Sequence, residues 1–226
     1  ERTREKALEL GIVDAMFEDA GETVAGADLV IICSHLGSYP SVGKAMSSHL
    51  APGAIVTDVG SVKGCVARDL GPHIPHGVHL VPGHPVSGSE KSGPEAGFET
   101  LFDDRWWILT PDADADQDAV RTLAAFVKAL GSQVEIMDAG RHDLVLAITS
   151  HLPHLIAYNI VNTADDMESV TQGEVVKFSA GGFRDFTRIA ASDPEFWRDV
   201  FLNNRDAVLE ALGRFTEDLI ALQRAI

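Results

Sequence analysis

The 226-residue chain is acidic, with 34 Asp and Glu against 18 Lys and Arg and a formal net charge of −16. This balance argues against a generalised basic face of the kind that binds nucleic acid. The content of 45% hydrophobic and 23% charged residues is typical of a globular protein with a sizeable core. We expect no apolar run to approach the length that spans a bilayer, and therefore predict no membrane partner.

The two cysteines and the N-terminal segment bear on the compartment. Cys33 falls in an apolar run and Cys65 in a predicted helix, where we expect buried, reduced thiols. No signal peptide is visible in the sequence. These features predict a cytoplasmic protein.

Short apolar strands alternate with helices in the first half of the chain. The predicted strands are Asp28–Ser34, Ala54–Asp58, His79–Val81, Trp106–Thr110 and Gln133–Met137. The predicted helices are Arg2–Leu10, Ser41–Leu50, Val62–Leu70, Pro94–Phe102 and Asp114–Leu130. This alternation predicts a mostly parallel sheet with helices on both faces, which binds ligands at the carboxyl ends of its strands.

After about residue 139 the strand pattern stops. Asp143–Val161 is predicted as one long apolar helix, and Asp193 with Pro194 begins a final helix. The final helix carries one apolar stripe from Phe196 to Leu222, which needs a partner surface. We therefore predict an α/β domain over residues 1–139 and an all-helical domain over residues 140–226.

Two segments that follow strands contain candidate catalytic residues. Ser61 lies in the stretch DVGSVKG after the second strand, where it is either a plain helix cap or part of a site. His84 lies between Gly83 and Pro85 after the third strand. Because a residue before proline is held extended, His84 has a restricted direction and suits acid–base chemistry near neutral pH. The alternative is an ordinary loop histidine.

Two further segments lie in the helical half. His151 and His154 share a face of the long helix and need polar partners there, in a pocket or as core histidines bonded to carbonyls. Arg188 lies between Phe186 and Ile189, so it needs a carboxylate partner. That partner is either Asp185 or an anionic substrate.

Four motifs in this order, DVGSVKG, GHPVSGSEKSG, SHLPH and FRDFTRIAASDPEFW, resemble those of the prephenate and arogenate dehydrogenases. The resemblance covers nearly the whole chain. It implies a Rossmann-type dinucleotide-binding domain followed by an all-α dimerisation domain. It also implies oxidative decarboxylation of a cyclohexadiene acid on the route to tyrosine, with hydride transfer to NAD or NADP, by a homodimer.

The resemblance also implies roles for individual residues. His84 matches the histidine that takes the proton of the ring hydroxyl, and Ser61 the serine that holds this histidine and contacts the same hydroxyl. Arg188 matches the arginine that binds a substrate carboxylate. The further substrate-binding residues that it implies are His154, His151, Asp185, Trp197, Ser89 and Glu90. The cofactor-binding residues that it implies are Ser34, His35, Leu36, Asp58 and Gly60.

One departure from the family concerns the cofactor. The GxGxxG fingerprint is absent and is expected before Glu1, together with the region that distinguishes NAD from NADP. The sequence also leaves open whether prephenate or arogenate is preferred, and whether tyrosine inhibits.

Three other classes of protein remain as alternatives. Another β-hydroxyacid dehydrogenase would use a lysine in the helical domain, where Lys177 is the only lysine after residue 130. A metal-dependent hydrolase would use His84, His151 and His154, although no HExxH or CxxC pattern accompanies them and we predict no metal. A non-catalytic nucleotide-binding regulator would not need the set of His84, Ser61 and Arg188.

Overall fold

The computed structural model describes residues 2–88, 93–171 and 174–226. The internal contacts divide the chain into two compact units, Glu1–Asp143 and Leu144–Ile226. The first unit contains both sheets, and the second is helical. We describe each unit by itself.

Within residues 2–88 and 93–143, the strands form two three-stranded sheets. In the first sheet β1 (Leu29–Ile32), β2 (Ile55–Asp58) and β3 (His79–Leu80) are parallel and lie in that order. In the second sheet β4 (Gly83–Pro85) is antiparallel and β6 (Gln133–Ile136) is parallel to the central β5 (Trp106–Leu109). All five predicted strands are present with trimmed ends. The sequence did not predict β4, so His84 lies within a strand and not in a turn.

The first unit contains the helices α1 (Arg2–Glu9), α2 (Ala20–Val24), α3 (Tyr39–Met46), α4 (Gly64–Asp69) and α5 (Gln117–Ala129), and also the start of α6, which begins at Ala139 and ends at Leu146 in the second unit. Asp116 is the N-cap of α5, and its carboxylate accepts hydrogen bonds from the backbone N–H groups of Asp118 and Ala119. The predicted helix over Pro94–Phe102 is wrong, because only a single 3₁₀ turn forms there, at Pro94–Ala96.

The core of the first unit lies between α5 and the strands. Leu123 and Val127 of α5 pack with Trp107 and Leu109 of β5 in one buried cluster. Burial of such side chains contributes about 1.5–3 kcal/mol each. This packing fixes β5, and through it the antiparallel strand that carries His84.

The two cysteines differ in exposure. Cys65 is buried, as predicted, and burial raises the pKa of its thiol to about 12. Cys33 is exposed, contrary to the prediction, because β1 ends at Ile32, one residue earlier.

Further helices follow in the described residues of the second unit. They are α7 (Leu152–Thr171), α8 (Glu174–Lys177), α9 (Gly181–Thr187), α10 (Pro194–Asn203) and α11 (Arg205–Ala225). The long helix predicted over Asp143–Val161 is interrupted by a π-helical turn at Ala147–His151. Pro153, which lacks a backbone N–H, follows this turn directly, and this accounts for the local change in hydrogen bonding. The final helix predicted from Asp193 is two helices, divided at Asn204.

The helical run Ala139–Met167 is long and apolar enough, by length and composition, to cross a membrane. It has 29 residues, and its most apolar window has a mean hydropathy of 1.5 with 22% of its residues buried. The prediction that no run approaches this length is therefore wrong. A single such helix is weak support for a membrane span, because core helices of globular proteins share these properties.

Candidate active site

Asp58, at the carboxyl end of β2, lies at the centre of a buried hydrogen-bond network in the first unit. Its side chain is fully buried, and its Oδ2 atom accepts hydrogen bonds from Tyr39 Oη (2.8 Å), Gly60 N (2.9 Å) and Lys63 Nζ (2.5 Å). Its Oδ1 atom accepts a hydrogen bond from Gly83 N at 3.2 Å. These donors balance the cost of burying a carboxylate. Both oxygens of the Asp58 carboxylate thus bind protein donors, and the predicted contact of Asp58 with the cofactor stays a prediction.

Lys63 connects Asp58 to the strand that carries His84. Its side chain is fully buried, and Nζ donates to Asp58 Oδ2 and, at 2.6 Å, to the carbonyl oxygen of Gly83. Burial lowers the pKa of the Lys63 ammonium group, while the adjacent Asp58 carboxylate favours its charged form. The ion pair therefore fixes the loop after β2 against the start of β4.

Ser61 lies in the bend between β2 and α4 and is half-buried. Helix α4 begins at Gly64 with Lys63 at its N-cap position, so the prediction that Ser61 caps a helix is wrong. The hydrogen bonds of the described residues do not join Ser61 to His84. Its implied contact with this histidine remains a prediction.

His84 lies at the centre of β4 and pairs with Ile108 of β5. Its side chain is 7% exposed. Its Nδ1 atom lies 2.8 Å from Nε2 of His142 on α6, and the two rings meet edge to face at 69°. The position of the His84 ring is thus set by a strand on one side and a second histidine on the other.

His142 and Asp143 complete this side of the site. Nδ1 of the fully buried His142 lies 2.8 Å from Asp143 Oδ1. The Asp143 carboxylate also accepts hydrogen bonds from Lys63 N at 2.7 Å and Gly64 N at 2.8 Å. The loop after β2 is therefore bound at two points, by the Lys63 side chain and by the backbone at its helical end.

The predicted cofactor contacts other than Asp58 lie where β1 and β2 end. Ser34 and His35 are exposed beyond the end of β1, whereas Leu36 is buried. Leu36 lies under Gly60, where a Cβ atom would be only 2.6 Å from Leu36 Cδ2 and 2.7 Å from Tyr39 Oη. The close approach requires glycine at position 60, which is buried against these side chains.

His151, in the π-helical turn of the second unit, is fully buried. Asn204 Nδ2 donates to its Nδ1 atom at 3.0 Å, and Trp197 packs against its ring edge. This geometry favours the interpretation of His151 as a core histidine over its predicted role in substrate binding.

His154 is half-buried and stacks on Trp197, with the ring centroids 3.6 Å apart at 21°. Its Nδ1 atom lies 3.0 Å from the carbonyl oxygen of Ser150, which accepts only, so Nδ1 carries a proton. Burial lowers the pKa of His154, the charge of Arg188 lowers it further, and the Ser150 carbonyl opposes both. Neutral His154 therefore presents Nε2 as a hydrogen-bond acceptor.

Arg188 and Asp185 are both exposed, Asp185 on α9 and Arg188 in the 3₁₀ turn that follows. No ion pair between these two side chains occurs in the described residues. The structure therefore does not support the alternative that Arg188 exists to pair with Asp185. Ser89 and Glu90, which the resemblance placed at the substrate, lie outside the described residues.

Sequence reasoning missed His142, Asp143 and Lys63 as site residues. His142 and Asp143 directly precede the long apolar helix, where a charged pair is ordinarily taken for a helix start. Lys63 was visible only as part of a motif, because nothing local shows that a lysine near a helix start is fully buried.

No group of three or more His, Cys, Asp or Glu side chains is placed to hold a metal ion within residues 2–88, 93–171 and 174–226. Nδ1 of His84 and Nδ1 of His151 bind protein partners. The alternative of a metal-dependent hydrolase therefore has no support in the geometry of these residues.

A dinucleotide fits the residues that are present at the edge of the first sheet. The carboxyl ends of the parallel strands β1 and β2 are followed by exposed Ser34 and His35 and by Gly60, which has no side chain. The fold and this edge define the class of nicotinamide-dependent oxidoreductases. Residues 1–136 match the family profile described as prephenate dehydrogenase, nucleotide-binding domain, and residues 138–226 match prephenate dehydrogenase, dimerization domain. The chain belongs to the prephenate dehydrogenase family.

Individual relatives agree with this assignment. The chain is 41% identical over 225 residues to the cyclohexadienyl dehydrogenase of Zymomonas mobilis, covering 100% of this chain and 76% of that protein. It is 34% identical over 214 residues to the prephenate dehydrogenase of Bacillus subtilis, covering 94% of this chain and 57% of that protein. The crystal structure of A. aeolicus prephenate dehydrogenase with hydroxyphenyl propionate and NAD+ superposes with a TM-score of 0.90 at 36% identity, covering 98% of this chain and 77% of that one.

These matches confirm several predictions. The family, the Rossmann-type domain followed by a helical dimerisation domain, the dehydrogenase class and the nicotinamide cofactor are confirmed. The predicted prephenate or arogenate dehydrogenase function is confirmed at the level of the family. The chain spans between about half and three quarters of the length of these relatives.

Proposed function

We propose that this protein oxidatively decarboxylates prephenate, with arogenate as the alternative substrate, in the biosynthesis of tyrosine. The observation that carries the proposal is His84, held in β4 with its Nδ1 atom bonded to His142. A ring held in this way directs its other nitrogen, Nε2, as a base of fixed orientation.

The proposed chemistry assigns proton transfer to His84. The nicotinamide ring, when bound, accepts the hydride from the ring carbon that bears the hydroxyl. His84 takes the hydroxyl proton, the electrons of the ring–carboxylate bond enter the ring as CO2 leaves, and the oxygen regains a proton as a phenol forms. Ser61 is proposed to contact the same hydroxyl.

The helical residues are proposed to hold the substrate. Arg188 presents an exposed guanidinium, which suits a carboxylate because its planar fork gives two parallel hydrogen bonds. His154 offers Nε2 and Trp197 supports its ring by stacking. Asp185, Ser89 and Glu90 stay in the proposed set, and the choice between a keto acid and an amino acid at the far end of the substrate rests with such side chains.

Steady-state kinetics on the full-length protein test the proposal, with prephenate and arogenate each assayed against NAD and NADP. Reduced cofactor is expected together with one CO2 per turnover. His84→Asn is expected to lower kcat by about a hundredfold or more, while His76→Gln, an exposed histidine of the first unit, leaves it unchanged. Absence of reduced cofactor with both substrates at saturating cofactor would contradict the proposal.

We further propose a cytoplasmic homodimer. The match to a dimerization domain supports this assembly, as do exposed apolar side chains on the helical unit, including Leu202, Leu209 and Leu222. The apolar run Ala139–Met167 is then accounted for as an interface helix. A monomer at micromolar concentration in light scattering would exclude the dimer. The division into domains 1–139 and 140–226 also stays a proposal.

A further inference from the structure

Three side chains of the first unit form a continuous hydrogen-bonded row. His84 Nδ1 lies 2.8 Å from His142 Nε2, and His142 Nδ1 lies 2.8 Å from Asp143 Oδ1. His142 is 0% exposed and His84 7% exposed. The row therefore joins the proposed base of the reaction to a carboxylate through a second imidazole that is shielded from water.

The Asp143 carboxylate determines which ring nitrogen of each histidine in the row carries a proton. Asp143 accepts hydrogen bonds from two backbone N–H groups, those of Lys63 and Gly64, so both of its oxygens act as acceptors. His142 must then donate from Nδ1, and its neutral ring leaves a lone pair on Nε2. His84 must donate to that lone pair from Nδ1. The single proton of the neutral His84 ring is thus on Nδ1, and Nε2 is unprotonated.

We propose that His142 and Asp143 are positioning residues that keep His84 in the tautomer required of the base. The proposal rests on the proposed function insofar as His84 is the group that takes the substrate proton. An imidazole with the opposite tautomer carries hydrogen on Nε2 and accepts no proton there. Loss of the row is therefore expected to lower kcat and to leave the affinity for the substrate nearly unchanged.

The same row stabilises the charge that the reaction creates. When the hydroxyl proton moves to His84 Nε2, the ring becomes an imidazolium with a proton on each nitrogen. Its Nδ1–H then donates to His142, whose other side faces the negative charge of Asp143. No proton needs to travel along the row, because the proton returns from Nε2 to the phenol oxygen at the end of the step.

The backbone at Gly64 leaves room for the Asp143 carboxylate. A Cβ atom at Gly64 would lie 2.9 Å from Asp143 Oδ2, so a side chain at position 64 would push the carboxylate out of place. Helix α6 is held at its start by Asp138, whose Oδ1 accepts from Arg141 N at 2.8 Å. Lys63 contributes to both ends of the row, through its backbone N–H to Asp143 and through its side chain to Gly83, which precedes His84.

The first experiment reads the tautomer without any reaction. Histidine-labelled full-length protein, without substrate or cofactor, is examined by ¹⁵N NMR at alkaline pH, where imidazole rings are ordinarily neutral, and His84→Asn assigns the signal. A proton on Nδ1 and a bare Nε2 are expected. A proton on Nε2 would overturn the proposal, whatever the enzyme turns out to catalyse.

The second experiment compares two replacements of His142. His142→Leu removes the acceptor, so kcat is expected to fall by about a hundredfold or more with KM changed less than about threefold. His142→Gln offers a carbonyl to His84 and an amide N–H to Asp143, which preserves the polarity of the row, and most of the turnover is expected to return. His76→Gln serves as the control for a histidine replacement on the surface.

The outcomes separate this proposal from the proposed function. If wild-type protein oxidises neither prephenate nor arogenate, the function fails while the NMR result still decides the tautomer. If His142→Leu turns over within about threefold of wild type, or if leucine and glutamine lower kcat equally, the positioning role is wrong. If His142→Leu does not fold, the glutamine variant and the NMR measurement decide.

Discussion

The charged residues of the candidate site differ in exposure between the two units. In the first unit, Asp58, Lys63 and His142 are fully buried, and every one of them bonds to another part of the same network. In the second unit, Arg188 and Asp185 are exposed and His154 is half-buried against Trp197. A buried charge is costly unless it is paired and hydrogen-bonded, whereas an exposed charge keeps its contact with water.

This difference predicts where mutations take effect. A change in the buried network leaves an unmatched charge behind, so its cost falls on folding and on the geometry of His84. A change at an exposed cation leaves the fold nearly intact, so its cost falls on binding. Variants at Lys63 and Arg188 distinguish an effect on folding from an effect on binding, and the largest effect is expected at Lys63.

Lys63→Met is expected to destabilise the first unit by about 3–5 kcal/mol, because it leaves the buried Asp58 carboxylate without its cation. The measurement is the free energy of unfolding in urea at neutral pH. Lys128→Met, which removes an exposed lysine from α5, is the matched control and is expected to change stability by less than about 0.5 kcal/mol.

A double variant makes this test sharper. Lys63→Met combined with Asp58→Asn removes both charges, so it is expected to be less destabilised than the sum of its two single variants. A Lys63→Met protein within about 1 kcal/mol of wild type would mean that the ion pair contributes little, and that the burial of Lys63 needs another explanation.

The buried network also shows which features of the structure the sequence predicts and which it does not. The strands, the family motifs and the candidacy of His84 follow from local patterns, because periodicity and turn residues act over a few positions. The hydrogen-bond partners of His84 cannot be predicted from these local patterns. His142 is 58 residues away and the bond from Lys63 to Asp143 joins residues 80 apart, so only the folded chain brings them together. Strand β4 was missed for the same reason, since its partner β5 lies beyond a long connection.

In the second unit the helices were predicted better than their interruptions. The π-helical turn before Pro153 and the break at Asn204 depend on how individual backbone hydrogen bonds are satisfied, which the apolar pattern does not record. The break matters for His151, because Asn204, at the break, donates to its Nδ1 atom.

Arg188→Gln tests the exposed side of the comparison. KM for the substrate is expected to rise roughly ten- to more than a hundredfold, which corresponds to the loss of about 1.5–3 kcal/mol from a charge-assisted contact. The unfolding free energy is expected to stay close to that of wild type, since Arg188 is exposed. Arg188→Lys should restore binding only in part, because an ammonium group is a point charge without a planar fork.

Arg205→Gln, an exposed arginine of α11, is the matched control and should leave KM unchanged. A large drop in melting temperature of Arg188→Gln with a near-normal KM would show that Arg188 is structural. The proposed position of the substrate carboxylate would then be wrong.

The smallest expected effect concerns the dependence of stability on pH at His154. Burial, followed by the charge of Arg188, lowers the pKa of this histidine in the folded protein below its ordinary value. The unfolded chain therefore binds a proton at a higher pH than the folded chain, so acidification favours unfolding. The stability that neutral His154 contributes is fully present above about pH 6.5 and is lost as the pH falls from there through the folded pKa.

Urea unfolding of wild type and His154→Gln across this range isolates the contribution, because glutamine does not titrate and every other group is shared. The difference in unfolding free energy, wild type minus variant, is expected to decline on acidification and then level off, while His76→Gln follows the wild-type curve. Parallel curves for wild type and His154→Gln would show that His154 has no depressed pKa, and the neutral acceptor proposed for the substrate would lose its support.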